Sequence, residues 1–219
     1  IGHTNSSGRE SLDFRMLGEE GIEEEVLKTH RLIESACGVT PLGFRAPGYG
    51  FSMRLLRVLA RCGYRYDSSL TPSPYGFVFR ILDSALRRRG RGSTGTRKTQ
   101  YSRLREGMLP VGPYCVSLDP GGDEGRVPRS ILEVPVAASP LLRLPFQAGV
   151  CLALGRSYFD AHLYAYRKRP ALPLVFLMHG ADLTDFRALG ILFFAESRWF
   201  STEIDQKVSS VIYCMTKIK

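Results

Sequence analysis

A histidine and an arginine stand where α/β proteins place reactive side chains, just after segments that predict strands. His179 follows the apolar run Leu174–Met178, which predicts a strand buried on both faces. A histidine at the carboxyl end of such a strand can act as a general acid or base, or ligate a metal, because its pKa lies near neutrality. Asp182 or Asp185 could orient the imidazole, and either could equally be a surface turn residue. We therefore predict His179 as a functional residue, against the alternative of a packed histidine.

Arg45 is the second such side chain, and it lies on a turn that Pro47 stiffens and that Gly48 and Gly50 loosen. A rigid turn can hold a guanidinium as a fixed fork against a carboxylate and so fix the ionisation of that carboxylate. The backbone N–H of Gly48 could also meet a developing oxyanion. The alternative interpretation is a surface arginine beside an ordinary turn.

The residues around this turn predict a strand–helix–strand unit. Residues 42–44 predict a short strand, Ser52 can cap a helix over 53–62, and 64–66 predict a second extended segment. This rhythm is typical of a parallel sheet or barrel. The side chains expected to face inward from the helix are those of Leu55, Leu56 and Leu59.

Two further amphipathic helices are predicted near the ends of the chain. Residues 19–37 predict the first, with glutamates in the half where the helix dipole favours them and with Gly38 as its stop. Residues 203–218 predict the last. The apolar faces expected to turn inward are Ile22, Val26, Ile33 and Cys37 in the first helix, and Ile204, Val208, Val211, Ile212 and Met215 in the last.

The middle of the chain breaks the strand–helix rhythm. Residues 70–128 contain many Pro, Gly and Arg residues and predict a long basic loop or insertion, with a helix over 77–89. The rhythm returns with the β-rich run Ile131–Val136 and a helix over 155–167. We expect residues 1–219 to form one domain, because a chain of this length can bury one sizeable core.

The net charge of +9 indicates either an anionic partner or a solvated basic loop. We favour the solvated loop, because much of the positive charge falls within the Pro- and Gly-rich residues 70–128. If a partner exists, Arg87–Arg91 could bind an anionic membrane surface. No aromatic residue interleaves with the basic ones over 87–98, which argues against nucleic acid. Five cysteines without a C-x-x-C spacing argue against a zinc knuckle or disulfide framework and favour buried thiols in a reducing compartment.

The N-terminal residues lack the basic and apolar regions of a signal peptide, and no apolar run reaches the length of a membrane span. We expect a cytoplasmic or membrane-associated protein. The first residue is Ile1 rather than Met, so we also expect that the chain begins inside a longer protein.

Several blocks resemble the polysaccharide deacetylase family, the NodB-homology enzymes of carbohydrate esterase family four. Arg45–Pro47 matches the family's Arg-x-Pro motif, and the Gly-Tyr-x-Tyr-Asp-Ser-Ser that often follows is present over 63–69. Leu177–His179 matches its Leu-x-His motif. His3–Ser7 partly matches its His-Ser/Thr-x-x-His motif, and Leu132–Val136 resembles its Glu-x-Pro strand.

The resemblance implies a metal-dependent hydrolase that removes an N-acetyl or similar N-acyl group from a sugar of a polysaccharide or glycolipid. The implied fold is a distorted (β/α) barrel, here without its first strand or strands and without its last. The implied cofactor is a divalent metal ion, usually zinc, which polarises the acetamide carbonyl and activates water. The implied roles are His3 as metal ligand, His179 as general acid, Arg45 as partner of the base, Gly48 as oxyanion donor, and Pro47 and Tyr49 as substrate-binding residues.

The chain departs from the family pattern at three points. The Asp-Asp pair that supplies the base and one metal ligand is not in this sequence and would lie upstream of Ile1. The second metal histidine falls on Ser7, whose hydroxyl is a poor zinc ligand. The aspartate that tunes the acid histidine has no clear match, although Glu133 or Asp182 could substitute. These departures predict that residues 1–219 alone are inactive, and they leave open a non-catalytic, carbohydrate-binding barrel without a metal.

Overall fold

A small mixed sheet and several helices make up the part of the chain that the computed structural model describes, residues 14, 16–75, 104–118, 129–185, 188 and 202–218. The fold class is therefore mixed α/β. The chain divides into two compact units, Ile1–Pro135 and Val136–Lys219, and each is described by itself. The predicted helix over 77–89 and the cluster Arg87–Arg91 lie outside the described residues.

The first helix, α1, spans Glu19–Cys37, which are the bounds that the sequence predicts. It ends at Gly38, whose φ of 66° is left-handed, as expected of a glycine stop. Ile22 and Val26 are buried, but Ile33 and Cys37 are exposed, so the inward face was predicted wrongly for the second half. The cause is length: α1 has 19 residues, and the helix that packs on it has nine.

That partner helix, α2, spans Met53–Arg61. The Ser52 hydroxyl accepts the Leu55 N–H at 3.1 Å, which confirms the predicted cap. Its predicted inward residues, Leu55, Leu56 and Leu59, are all buried in the core of the first unit. At the surface, the Arg61 guanidinium meets Glu19 of α1 at 2.8 Å and lowers the pKa of that carboxyl.

Four short strands of the described residues form a sheet in the first unit, in the order β1–β2–β4–β3. Their bounds are Gly43–Phe44 for β1, Tyr66–Asp67 for β2, Tyr114–Ser117 for β3 and Ser130–Glu133 for β4. β1 and β2 are parallel, with α2 between them in sequence, which confirms the predicted strand–helix–strand unit. β4 continues the parallel set beside β2, and β3 pairs antiparallel with β4. A short helix, α3, spans Leu104–Gly107.

The described residues of the second unit include three α-helices: α4 spans Ala148–Leu154, α5 spans Arg156–Arg167 and α6 spans Ile204–Ile218. The sequence predicts α5 and α6 but not α4. The Phe146 ring lies in the core, 5.5 Å from the Phe159 ring and 5.4 Å from the Phe176 ring between centroids.

The buried face of α6 differs in part from the predicted one. Val211 is buried as predicted, together with Lys207 and Cys214, whereas Val208, Ile212 and Met215 are exposed. The Lys207 ammonium donates to the Thr184 carbonyl at 2.8 Å, so a lysine takes the inward position and the buried stripe shifts by one residue.

The run Leu174–Met178 does not form a strand, and its side chains are half-buried, so the predicted doubly buried strand is wrong. Its carbonyls accept hydrogen bonds from Ala137, at 3.1 Å to Val175, and from Ala148, at 2.9 Å to Leu177. These donors belong to a loop and to the start of α4, which a run of apolar residues does not reveal.

The cysteines are only partly buried. Cys151 and Cys214 are buried in the second unit, and burial raises the pKa of Cys214 to about 11. Cys37 and Cys115 are exposed, so the prediction of buried thiols is wrong for these two. No helix within the described ranges is long and apolar enough to cross a membrane.

Candidate functional site at the carboxyl ends of three parallel strands

The carboxyl ends of β1, β2 and β4 bring Arg45, the Asp67–Ser69 segment and Glu133 together. Asp67 is in register with Phe44 on one side and with Glu133 on the other. Because the three strands are parallel, the residues that end them meet at one edge of the sheet. This is the edge at which open α/β folds bind ligands.

Arg45 follows β1 and is held by Ser68. Its Nε donates to the Ser68 carbonyl at 2.9 Å, and its Nη2 donates to the Ser68 hydroxyl at 2.7 Å. That hydroxyl in turn donates to the Val134 carbonyl at 2.7 Å. The guanidinium is thus a fixed fork, as predicted, and its two hydrogen bonds go to a serine and not to a carboxylate.

Asp67 is fully buried and accepts two hydrogen bonds from Ser69. Its Oδ1 accepts the Ser69 hydroxyl at 2.7 Å, and its Oδ2 accepts the Ser69 N–H at 3.2 Å. The Ser69 hydroxyl also accepts the Ala46 N–H at 2.8 Å. Burial raises the pKa of Asp67, and the hydrogen bonds from Ser69 oppose that rise. The Asp-Ser-Ser sequence therefore ties the end of β2 to the turn after β1.

Glu133 is the last residue of β4 and is also fully buried. Its Oε1 accepts the Leu70 N–H at 3.1 Å, and its Oε2 accepts no hydrogen bond from the described residues. Burial, and then the charge and hydrogen bonding of Asp67, raise the pKa of Glu133 to about 10. The Leu70 N–H and the Arg45 charge act in the opposite direction.

Tyr114 completes this cluster from β3, opposite Glu133 in the antiparallel register. Its hydroxyl is buried and has no hydrogen-bond partner among the described residues. Burial raises the pKa of Tyr114, and the negative charges of Glu133 and Asp67 raise it further.

The turn after Arg45 is a single 3₁₀ turn, Pro47–Tyr49. Gly48 has a φ of 62°, a left-handed conformation that favours glycine. Tyr49 has a φ of 56°, which is uncommon for an aromatic residue and marks local strain. Strain of this kind concentrates at functional sites, so the turn is a candidate for substrate contact.

His179 and Asp182 meet in the second unit. The His179 N–H donates to Asp182 Oδ2 at 2.8 Å, and the Asp182 N–H donates to the His179 carbonyl at 2.9 Å. His179 is exposed, whereas Asp182 is buried. Burial raises the pKa of Asp182, and the hydrogen bond and the charges of His179 and Lys207 oppose this rise. The carboxylate thus fixes the backbone that carries the imidazole.

The buried pair of Asp67 and Glu133 was not predicted: Glu133 was named only as a possible substitute for the tuning aspartate, and Asp67 only within the block 63–69. The available signal was that Asp67 directly follows the predicted extended segment 64–66 and that Glu133 lies within the β-rich run Ile131–Val136. The pairing depends on the register between β2 and β4, which sets Asp67 beside Glu133 although the two strands are far apart in the chain. Register between such distant strands is not readable from one sequence.

Within the described ranges, no group of three histidine, cysteine or acidic side chains comes together as a metal site. His3 and Ser7 lie outside those ranges, so the geometry of the predicted metal-binding motif is not described. No protein-family model, no curated protein and no solved structure matches this chain.

Proposed function

We propose that this protein is a metal-dependent hydrolase that removes an N-acetyl or similar N-acyl group from a sugar of a polysaccharide or glycolipid. One observation carries the proposal. Arg45 and Ser68, which belong to two neighbouring blocks of the deacetylase-like sequence, are hydrogen-bonded at the carboxyl ends of parallel strands. The sequence resemblance and the position in the sheet thus support the same site.

The proposed fold is a distorted (β/α) barrel of the polysaccharide deacetylase type. The support is the parallel set β1, β2 and β4, with α2 as the crossover between the first two strands. Parallel strands joined through helices are the repeating unit of such barrels.

Arg45 and His179 have different roles in this proposal. Two nitrogens of Arg45 bind Ser68, and the remaining Nη1 is the group we assign to the carboxylate of the catalytic base. His179 is exposed on a backbone fixed by Asp182, and we assign its imidazole the proton that the leaving amine requires. The Gly48 N–H and the strained Tyr49 lie on the turn assigned to substrate contact.

The metal ligand in this proposal is His3, assigned from its sequence motif. Within the described ranges, no group of three histidine, cysteine or acidic side chains comes together as a further part of the metal site.

A second candidate function is a carbohydrate-binding barrel without catalysis. The observation that favours it is Ser7, which stands at the position of the second metal histidine. The two hydrogen bonds from Arg45 to Ser68 fit this alternative as well, because in a non-catalytic protein the guanidinium would serve to hold the strand ends together.

The test is acetate release from N-acetylated glycan oligomers and glycolipids by the protein of the complete reading frame, with and without added zinc. We expect release that Arg45→Ala lowers by about 100-fold to 1,000-fold, the usual effect of losing a group that stabilises charge at a reacting centre. Arg65→Ala is the matched control, because Arg65 is also exposed but directly precedes β2, at the end of the strand opposite to the candidate site. Binding of the oligomers without any release would favour the second candidate, and neither binding nor release would refute both.

A further inference from the structure

We propose that Asp67 and Glu133 form a buried site for a single proton, carried on Glu133 Oε2 and donated to the Asp67 carboxylate. Both side chains are fully buried and in register on adjacent parallel strands. This inference concerns the charge state of the strand ends and does not depend on the proposed enzymatic activity.

The hydrogen-bond donors around the pair carry the argument. Asp67 receives the hydroxyl and the N–H of Ser69, so both of its oxygens accept bonds, as an ionised carboxylate requires. Glu133 receives only the Leu70 N–H among the described donors, on Oε1, and its Oε2 receives none. A buried carboxylate oxygen without a donor is costly, whereas a protonated one becomes a donor itself.

The charges around the pair favour the same arrangement. Two ionised carboxylates side by side would repel each other, and among the described residues the Arg45 guanidinium offsets this charge at Glu133. With one proton bound, Glu133 is neutral and the pair carries one negative charge in place of two. Tyr114 of β3 faces the pair as a neutral phenol, because burial and the nearby carboxyls raise its pKa. Burial raises the pKa of both carboxyls, and the hydrogen bonds of Ser69 that oppose the rise at Asp67 agree with a proton on Glu133, whose pKa is raised to about 10.

The bound proton makes stability depend on pH in a defined direction. The pKa of Glu133 is higher in the folded protein than in the unfolded chain, so the folded state holds a proton that the unfolded state loses. The stability that the bound proton adds to the folded state is fully present below the ordinary glutamate pKa. It is lost as the pH rises towards about 10. Over this window the unfolding equilibrium constant increases by up to about tenfold for each pH unit.

Infrared spectroscopy of the wild-type protein tests the proton directly. In protein labelled with ¹³C-glutamate at the side-chain carboxyl, we expect a protonated carboxylic acid band at neutral pH, where exposed glutamates give carboxylate bands. Absence of that band refutes the proposal. A carboxylate band that shifts when a chelator is added would also refute it, because the pair would then bind a cation in place of the proton.

The Glu133→Gln variant tests the consequence for stability. Its amide can keep the Leu70 N–H as donor to the oxygen and donate to Asp67, so it copies the protonated carboxyl. We expect urea unfolding between pH 6 and about pH 9 to show that the wild type becomes less stable relative to this variant. The unfolding equilibrium constant of the wild type should rise by up to about tenfold per pH unit more than that of the variant. The control is Glu24→Gln, at an exposed position of α1, which should run parallel to the wild type. Parallel curves for Glu133→Gln and wild type contradict the proposal, and if the variant does not fold, the infrared band decides.

Discussion

The strand ends of the first unit and the His179 segment of the second unit hold their polar groups in opposite ways. At the strand ends, Asp67 and Glu133 are fully buried and bind neighbouring backbone and serine groups. In the second unit, the buried carboxylate of Asp182 binds only backbone in the described contacts, and the imidazole of His179 is exposed. The first arrangement fixes the fold, and the second leaves a reactive side chain accessible on a fixed backbone.

This difference predicts different consequences for substitutions in the two regions. Substitutions of the buried pair should act mainly on unfolding, because the pair has no exposed surface with which to contact a substrate. Substitutions at His179 should act mainly on the reaction. Arg45 lies between these cases, since it is exposed and is also hydrogen-bonded to Ser68.

The largest effect is expected from Asp67→Ala. This substitution leaves the N–H and the hydroxyl of Ser69, and the carboxyl of Glu133, without the Asp67 carboxylate as their partner in a buried site. We therefore expect a loss of about 3–5 kcal/mol in the free energy of unfolding. Urea unfolding followed by far-UV circular dichroism measures it. The matched control in the second unit is Asp160→Ala, which removes the exposed acceptor of the Tyr213 hydroxyl and should cost under about 1 kcal/mol. Equal losses in the two variants would break the comparison.

An intermediate effect is expected from Arg45→Ala. The variant removes two hydrogen bonds to Ser68, one to its carbonyl and one to its hydroxyl. Because Ser68 directly follows β2, we expect the free energy of unfolding to fall by about 1–3 kcal/mol. Arg65→Ala should change it by under about 0.5 kcal/mol, because surface substitutions away from such contacts are usually neutral. If Arg45→Ala is as stable as the wild type, the fork does not hold the strand ends together.

The smallest effect is expected from Asp182→Ala. The carboxylate accepts the His179 N–H at 2.8 Å, next to an exposed side chain, so water can replace part of the lost bond. We expect a loss of about 1 kcal/mol and a faster hydrogen exchange of the His179 amide. Exchange that stays as slow as in the wild type would show that Asp182 does not fix this segment.

Local signals in the sequence predicted much of the first unit. The bounds of α1, the left-handed Gly38, the Ser52 cap and the buried leucines of α2 follow from residues within one or two turns of each other. The parallel pairing of β1 and β2 follows from the short crossover between them.

Features that depend on distant residues could not be predicted. Lys207 lies on the buried face of α6 because its ammonium meets the Thr184 carbonyl, 23 positions away. The run Leu174–Met178 looks like a strand in sequence but has donors from a loop and a helix as partners. For the candidate site, Arg45 was named from its position on a turn after a predicted strand and Glu133 from the resemblance to a Glu-x-Pro strand, whereas the partnership of Glu133 with Asp67 required the sheet register. The role of His179 stays a prediction.

The most direct test of the account is the rate of acetate release by His179→Asn, measured on the protein of the complete reading frame beside its urea unfolding curve. Loss of a general acid typically lowers the rate by about 100-fold to 10,000-fold. We expect a loss in that range with a free energy of unfolding within about 0.5 kcal/mol of the wild type. An unchanged rate at unchanged stability would contradict the assignment of His179, and with it the proposed division between a buried, stabilising cluster and an accessible, reactive one.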